Sequence, residues 1–217
     1  MKTPTTEHPI LFSTPMVQAI LEGRKTMTRR ISKHQYWSFS ELIDVNNNGI
    51  TQKTDRSVSC KYGSVGDKLW VRETWCNLNK PGIDPEYVFK TETLDAEDYD
   101  PSEWKWKPSI HMPKAAARIW LEIVSIRVEH LQDISEADAI AEGVLLLETE
   151  EDVQVWGKAG WGVAQTLNHY KNYLKNADFS IHYAKDSFTT LWYEINGIQS
   201  WLDNPWVWVI EFKRINP

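Results

Sequence analysis

The sequence predicts an α+β fold, a curved sheet or small β-barrel with flanking short helices, and three observations predict it. Several segments read as strands, ending with Trp206 to Phe212. Only three short segments read as helices with recognisable starts or stops. No internal repeat and no low-complexity tract interrupts them, so one layered core of strands and helices accounts for the pattern.

Taken in order, residues 1–8 form a polar lead that reads as disordered, and Pro9-Ile10-Leu11-Phe12 is an apolar run that reads as a strand. Ser13-Thr14-Pro15 then starts a helix, with a hydroxyl cap and a proline in the first turn. Met16, Val17, Ile20 and Leu21 share a helical face, and Gly23 stops it where a left-handed residue is needed. Lys25 to Arg30 follows as a turn leading into a strand.

Residues 32–64 are polar, with Asn46-Asn47-Asn48-Gly49 as a turn cluster. Gly66-Asp67 turns into a strand over residues 68–75, Lys68 to Trp75. Residues 77–109 read as an insertion holding one short strand, Tyr87 to Lys90. Ala116 to Val128 reads as a long strand buried on both sides. Ile119, Leu121 and Ile123 lie on one face of it, and Val124, Ile126 and Val128 on the other.

Ser135-Glu136-Ala137-Asp138 is a capping box opening a short helix that ends at Gly143. Residues 145–186 are mixed and aromatic, and their pattern orders no elements. Phe188 to Ile195 is a helix stopped by Asn196-Gly197, and Pro205 precedes the closing strand. The 217 residues suit one domain, 1–217, with insertions near 32–64, 77–109 and 145–186.

Composition narrows the functional classes. Hydrophobic residues make up 41% and charged residues 25%, as in ordinary globular proteins. The net charge of −6 argues against extended binding along a phosphate backbone, while leaving room for a small ligand or a local basic patch. Cys60 and Cys76 fit no zinc spacing and no disulfide framework, so they read as buried thiols. The polar start lacks the apolar core of a signal peptide, and no apolar run is long enough to span a bilayer. A cytoplasmic protein without membrane contact is expected. Twelve tryptophans are mostly packing residues, with one or two available to stack on a planar ring.

Three places have chemistry to offer. Gly23-Arg24-Lys25-Thr26-Met27-Thr28-Arg29-Arg30 puts four cations and two hydroxyls into eight residues. As a solvated basic turn it would need no function, but it follows a helix stop directly and enters a sheet. Crowding by Arg24, Arg29 and Arg30, together with burial, favours neutral Lys25. A neutral lysine can act as a base toward the Thr28 hydroxyl, provided that a turn or bulge brings the two together. Glu142 lies in the last turn of its helix, facing the negative end of the dipole at a cost of roughly 0.3–1 kcal/mol. That is either an exposed, screened glutamate or a carboxyl poised for acid–base work. Trp106 to Pro113 is a proline-bracketed loop carrying His111, either a rigid connection or a binding loop. His111 has no metal or triad partner in sequence.

These residues carry a resemblance. Ile20 to Arg30 resembles the signature of ASCH domains of the PUA-like superfamily, and the whole chain is similar to the longer ASCH-type proteins of phages and prophages. Phe12 to Met16, Gly66-Asp67 with Trp70 to Trp75, Trp106 to Pro113 with Ala116-Ala117-Arg118, and Asn204 to Val209 extend it over most of the chain. The resemblance implies a small β-barrel with flanking helices, which would supply the bend between Lys25 and Thr28. Small bacterial ASCH enzymes that hydrolyse N4-acetylcytidine share the Gly-Arg-Lys-Thr-x-Thr-x-Arg run. Their catalytic lysine, threonine and glutamate fall on Lys25, Thr28 and Glu142.

The resemblance therefore implies amide hydrolysis on N4-acylated cytosine or cytidine. Lys25 would deprotonate Thr28, Thr28 would attack the acyl carbonyl, and Glu142 would orient Lys25 or pass a proton to the leaving amine. Arg30 and backbone amides near Thr26 would stabilise the oxyanion. Arg24, Thr26, Arg30, Trp75 and His111 are the expected substrate-binding residues, and the chemistry needs neither metal nor cofactor. The small enzymes are about half this length, so the three insertions are expected to reshape the pocket. A non-catalytic RNA or modified-base binder and an ASCH-type ribonuclease are the alternatives. Oligomeric state is not legible.

Overall fold

The computed structural model describes residues 5–36, 59–78, 86–93, 104–157, 160–174 and 179–216. The Asn46–Gly49 turn cluster lies outside the described residues, as do residues 37–58, 79–85 and 94–103 of two expected insertions. Secondary structure is mixed. Among the described residues the strands are β1 (Glu7–Leu11), β2 (Met27–Ile31), β3 (Lys68–Arg72), β4 (Trp75–Leu78), β5 (Glu86–Phe89), β6 (Trp120–His130), β7 (Leu146–Gly157), β8 (Gly160–Tyr170) and β9 (Trp206–Ile215). The α-helices among the described residues are α1 (Thr14–Leu21), α2 (Glu136–Ala141), α3 (Ala184–Asn196) and α4 (Ile198–Leu202).

Five strands form one sheet in the order β1-β3-β6-β9-β2. β1 and β3 run parallel, from Glu7 opposite Lys68 to Leu11 opposite Arg72, and β3 and β6 run antiparallel. β1 and β2 are the two edges, so no closed barrel forms among the described residues. The α+β class with short helices stands; the barrel does not follow from this sheet. Two separate hairpins account for the other described strands, β4 with β5 and β7 with β8.

Several sequence expectations shift here, each for a physical reason. β1 starts at Glu7, inside the polar lead, because pairing with β3 and the Lys68 N–H bond to the Thr6 carbonyl (2.9 Å) hold polar residues extended. Ser13 occupies the N-cap of α1, and its carbonyl accepts from Val17, but its hydroxyl makes no capping bond. The strand expected over 68–75 is two strands. It breaks at Glu73-Thr74, where the Glu73 carboxylate is buried against Arg118 and Trp75 passes into the β4–β5 hairpin. In β6 the buried positions switch from Leu121 and Ile123 to Ile126 and Val128, leaving Val124 exposed. Residues 145–186, unordered by sequence, contain the long β7–β8 hairpin. The third helix begins at Ala184, four residues ahead of Phe188, and α4 follows its Gly197 stop.

The chain divides into two compact units, residues 1–23, 37–127 and 210–217, and residues 24–36 and 128–209. The first holds a core cluster of Trp75, Phe89, Met112 and Ala116. Met112, from the Trp106–Pro113 segment, is 1% exposed, so burial accounts for that segment's order. The second unit packs Met27 of β2 and Ala139 of α2 against Phe188 and Trp192 of α3 and Val207 and Val209 of β9. No described helix is long and apolar enough to cross a membrane.

Candidate active site

The second unit brings the Arg24–Thr28 segment against the C-terminal end of α2. Ser135 caps the start of that helix by accepting the Asp138 N–H at 3.1 Å, and Gly143 leaves it with φ 87°. A helix end leaves carbonyls without intrahelical partners. Residues 24–26 supply them in reverse order. The Thr26 N–H donates to the Ala141 carbonyl (2.9 Å), Lys25 Nζ to the Glu142 carbonyl (2.7 Å) and Arg24 Nη1 to the Gly143 carbonyl (2.8 Å). Two side-chain cations at a helix C-terminus also complement its dipole.

This arrangement changes the energetics expected for Glu142. Its carboxylate does sit at the unfavourable end of the helix, but it is buried rather than screened by water. Lys25 Nζ donates to Glu142 Oε2 at 2.8 Å, and Arg29 Nη1 lies 3.3 Å from Oε1. Two cations thus offset the dipole penalty. Lys25 itself is 3% exposed. Burial is the main reason that its ammonium loses protons more readily than a solvated lysine; Arg30 and Arg29 push the same way, and Glu142 opposes them.

Thr28 is buried at the second position of β2. Met27 and Arg29 share one face of that strand, with Arg29 Nη1 3.4 Å from Met27 Sδ, and alternation gives Thr28 and Arg30 the other. Lys25 precedes the strand, after the left-handed Gly23 (φ 78°), so alternation does not dictate its direction. The bonds within the trio run between Lys25 and Glu142, and Thr28 contributes a buried hydroxyl three residues along.

The expected binding residues have varied fates. Arg24 is half-buried at the helix end, and Arg30 is half-buried on β2. Thr26 is exposed, and because its N–H is bonded to Ala141 that amide is not an oxyanion donor. Trp75 and His111 belong to the first unit. Trp75 is 5% exposed, packed on Tyr87 and beneath the Lys107 ammonium, so its ring faces are already covered by protein. His111 is exposed at the end of a short 3-10 turn. Cys60 and Cys76 are free, buried thiols, and burial pushes Cys60 up to about 11, which leaves it a poor nucleophile.

Arg29, Glu129 and Asp138, none of them among the expected site residues, also join this cluster. The Arg29 side chain is fully buried, with Nη2 2.5 Å from Glu129 Oε1 and 2.6 Å from Asp138 Oδ2. One signal was available: Asp138 and Glu142 are four residues apart, so a short helix presents two like charges on one face. Such a pair calls for a cation. Among the described residues no group of three or more His, Cys, Asp or Glu is arranged to hold a metal ion. No protein-family model, no curated protein and no solved structure matches this chain.

Proposed function

We propose that the chain is an amidohydrolase acting on N4-acylated cytosine or cytidine, of the ASCH type that its Gly23–Arg30 segment resembles. The observation that carries this reading is the buried contact between Lys25 Nζ and Glu142 Oε2, 2.8 Å apart. A buried ion pair is weak evidence for stability, because desolvation offsets its attraction. Thr28, three residues along the chain, is buried as well, and the resemblance makes it the nucleophile that this pair would serve. Burial also weakens the hold of Lys25 on its proton, which is what a general base requires.

In the proposed reaction Lys25 takes the Thr28 hydroxyl proton, directly or through one water. Thr28 Oγ bonds to the acyl carbon, giving a tetrahedral oxyanion that Arg30 stabilises. The C–N4 bond then breaks, and the cytosine amine leaves with the proton held by Lys25. Water hydrolyses the acyl-threonine ester, releasing the carboxylic acid and restoring Thr28. Glu142 holds Lys25 in place throughout. The substrate is nucleoside-sized, in keeping with the net charge of −6. The PUA-like barrel and a cytoplasmic setting belong to the same proposal.

A second reading is a non-catalytic binder of RNA or of a modified base. It is favoured by the bonds of Arg24 and Lys25 to main-chain carbonyls, which close a helix without any reaction. Incubation with N4-acetylcytidine, following cytidine release beside Lys25→Ala, Thr28→Ala and Glu142→Ala, separates the two. Release lost in all three variants is expected. No release by the unmutated protein across several N4-acyl groups overturns the hydrolase reading, and Lys25-dependent cleavage of single-stranded RNA would replace it with a ribonuclease.

A further inference from the structure

We propose that Arg29 is the positioning residue of this site, a buried guanidinium anchored on Glu129 and Asp138 that turns the Glu142 carboxylate so that one oxygen faces Lys25. The proposal rests on the amidohydrolase reading for its catalytic meaning, though not for its geometry. Arg29 lies on β2, Glu129 near the end of β6, Asp138 on α2 and Glu142 at its C-cap. Residues of β6 and α2, 100 or more positions along the chain from Arg29, thus meet on one side chain.

The distances divide the labour. Arg29 Nη2 is bonded tightly to Glu129 (2.5 Å) and Asp138 (2.6 Å), while Nη1 makes the longer contact to Glu142 Oε1 (3.3 Å). The planar fork offers five donors in fixed directions, so one guanidinium can serve several carboxylates at once. Its plane is fixed further by Met27 Sδ at 3.4 Å and by the Phe188 ring at 6.0 Å. Glu142 therefore gives Oε1 to Arg29 and Oε2 to Lys25. A carboxylate held at both oxygens cannot rotate about its terminal bond without losing a cation.

Removal of Arg29 would leave Glu129, Asp138 and Glu142 facing each other around a void. Glu142 would be free to turn both oxygens toward Lys25. The charged groups around Lys25 are Glu142, Arg29, Arg30 and Arg24, with Glu129 and Asp138 behind Arg29. Loss of the Arg29 cation and a closer Glu142 both bind the Lys25 proton more firmly. Loss of charge alone would move the Lys25 titration in Arg29→Gln but leave it in place in Arg29→Lys, which keeps a cation without the fork that orients Glu142.

The test compares the unmutated protein with Arg29→Gln and Arg29→Lys. Arg29→Lys keeps a cation among the carboxylates and covers the case in which Arg29→Gln does not fold. Two readouts are taken: the Lys25 Nζ titration by NMR, which needs no substrate, and the pH profile of cytidine release from N4-acetylcytidine. In Arg29→Gln the Lys25 midpoint should rise by about one unit. Because each unit of protonation removes about tenfold of the neutral base, kcat at neutral pH should fall about tenfold, with KM within about twofold. Arg29→Lys, a point donor that keeps the charge but not the fork, should show a smaller midpoint shift and a correspondingly smaller kcat loss. A folded Arg29→Lys variant with an unchanged Lys25 midpoint overturns the proposal. Inactivity of the unmutated protein removes the hydrolase reading, and the NMR titration then still decides whether Arg29 positions Glu142.

Discussion

Lys25 Nζ sits 2.7 Å from the main-chain carbonyl of Glu142 and 2.8 Å from that residue's Oε2, so one ammonium both closes a helix and pairs with its last carboxylate. The two groups are 117 residues apart in sequence, and both are buried. Stability and any proton chemistry here are therefore coupled through one pair.

The coupling is asymmetric under mutation. Glu142→Ala leaves a buried ammonium without its carboxylate and should lower unfolding free energy by about 3–5 kcal/mol. Lys25→Met removes the cation, and in the Lys25→Met/Glu142→Gln double variant no charge is stranded. The double variant should be more stable than Glu142→Ala by urea unfolding. Equal stability of the two would mean that the pair is not desolvated in solution.

The pH dependence has a definite sign. Burial lowers the Lys25 pKa in the folded protein below its ordinary value of 10.5. Between the folded and unfolded values the unfolded chain binds more protons, so the Lys25 contribution to stability rises with pH across that window and is flat outside it. The unfolding free energy of the unmutated protein minus that of Lys25→Met should therefore increase from neutral pH toward pH 10.5. Hydrolytic kcat/KM should climb over the same range with a midpoint below 10.5, because only neutral Lys25 acts as a base. A difference that falls with rising pH would contradict the assignment.

Thr28 separates nucleophile from scaffold. Thr28→Ala removes one hydroxyl and one methyl from a buried site and should cost about 1 kcal/mol of stability. Cytidine release should nevertheless fall by at least about 10²-fold. Thr28→Ser keeps the hydroxyl and should retain measurable turnover. Unimpaired release by Thr28→Ala would remove it from the chemistry.

Gly23 offers a purely conformational test. Its φ is 78°, and a Cβ built there meets nothing within 4 Å, so substitution strains the backbone without a clash. Gly23→Ala should destabilise by about 1–2 kcal/mol, and Gly23→Asn by less, since asparagine tolerates the left-handed region. Thermal unfolding of both variants measures the difference. A larger loss in Gly23→Asn than in Gly23→Ala would point to crowding instead.

Away from the site, Arg118 grips buried Glu73 through Nε (2.9 Å) and Nη2 (3.0 Å), and Nη2 also donates to the Thr91 hydroxyl (2.6 Å), which itself donates to Glu73 at 3.0 Å. Arg118→Ala strands that carboxylate and should cost about 3 kcal/mol. The Lys25 titration should not move, which makes this variant a control for the Arg29 comparison.

What the sequence determined by itself was local. Gly23, Gly143 and Gly197 marked three helix stops, and all three have positive φ. Ser135 marked a helix start, and the apolar run before Phe212 marked a strand. These signals are legible because they report backbone conformation and burial within a few residues. The strand expected through Glu73 broke because a buried carboxylate needed Arg118, 45 residues away. Lys25 and Glu142 were singled out by chain pattern and resemblance, yet their contact, and the convergence of Glu129 and Asp138 on Arg29, arose only in the tertiary structure. Periodicity fixes which face of an element is apolar. Which charges meet inside depends on how distant segments approach, and an unpaired buried charge costs too much for that approach to be arbitrary.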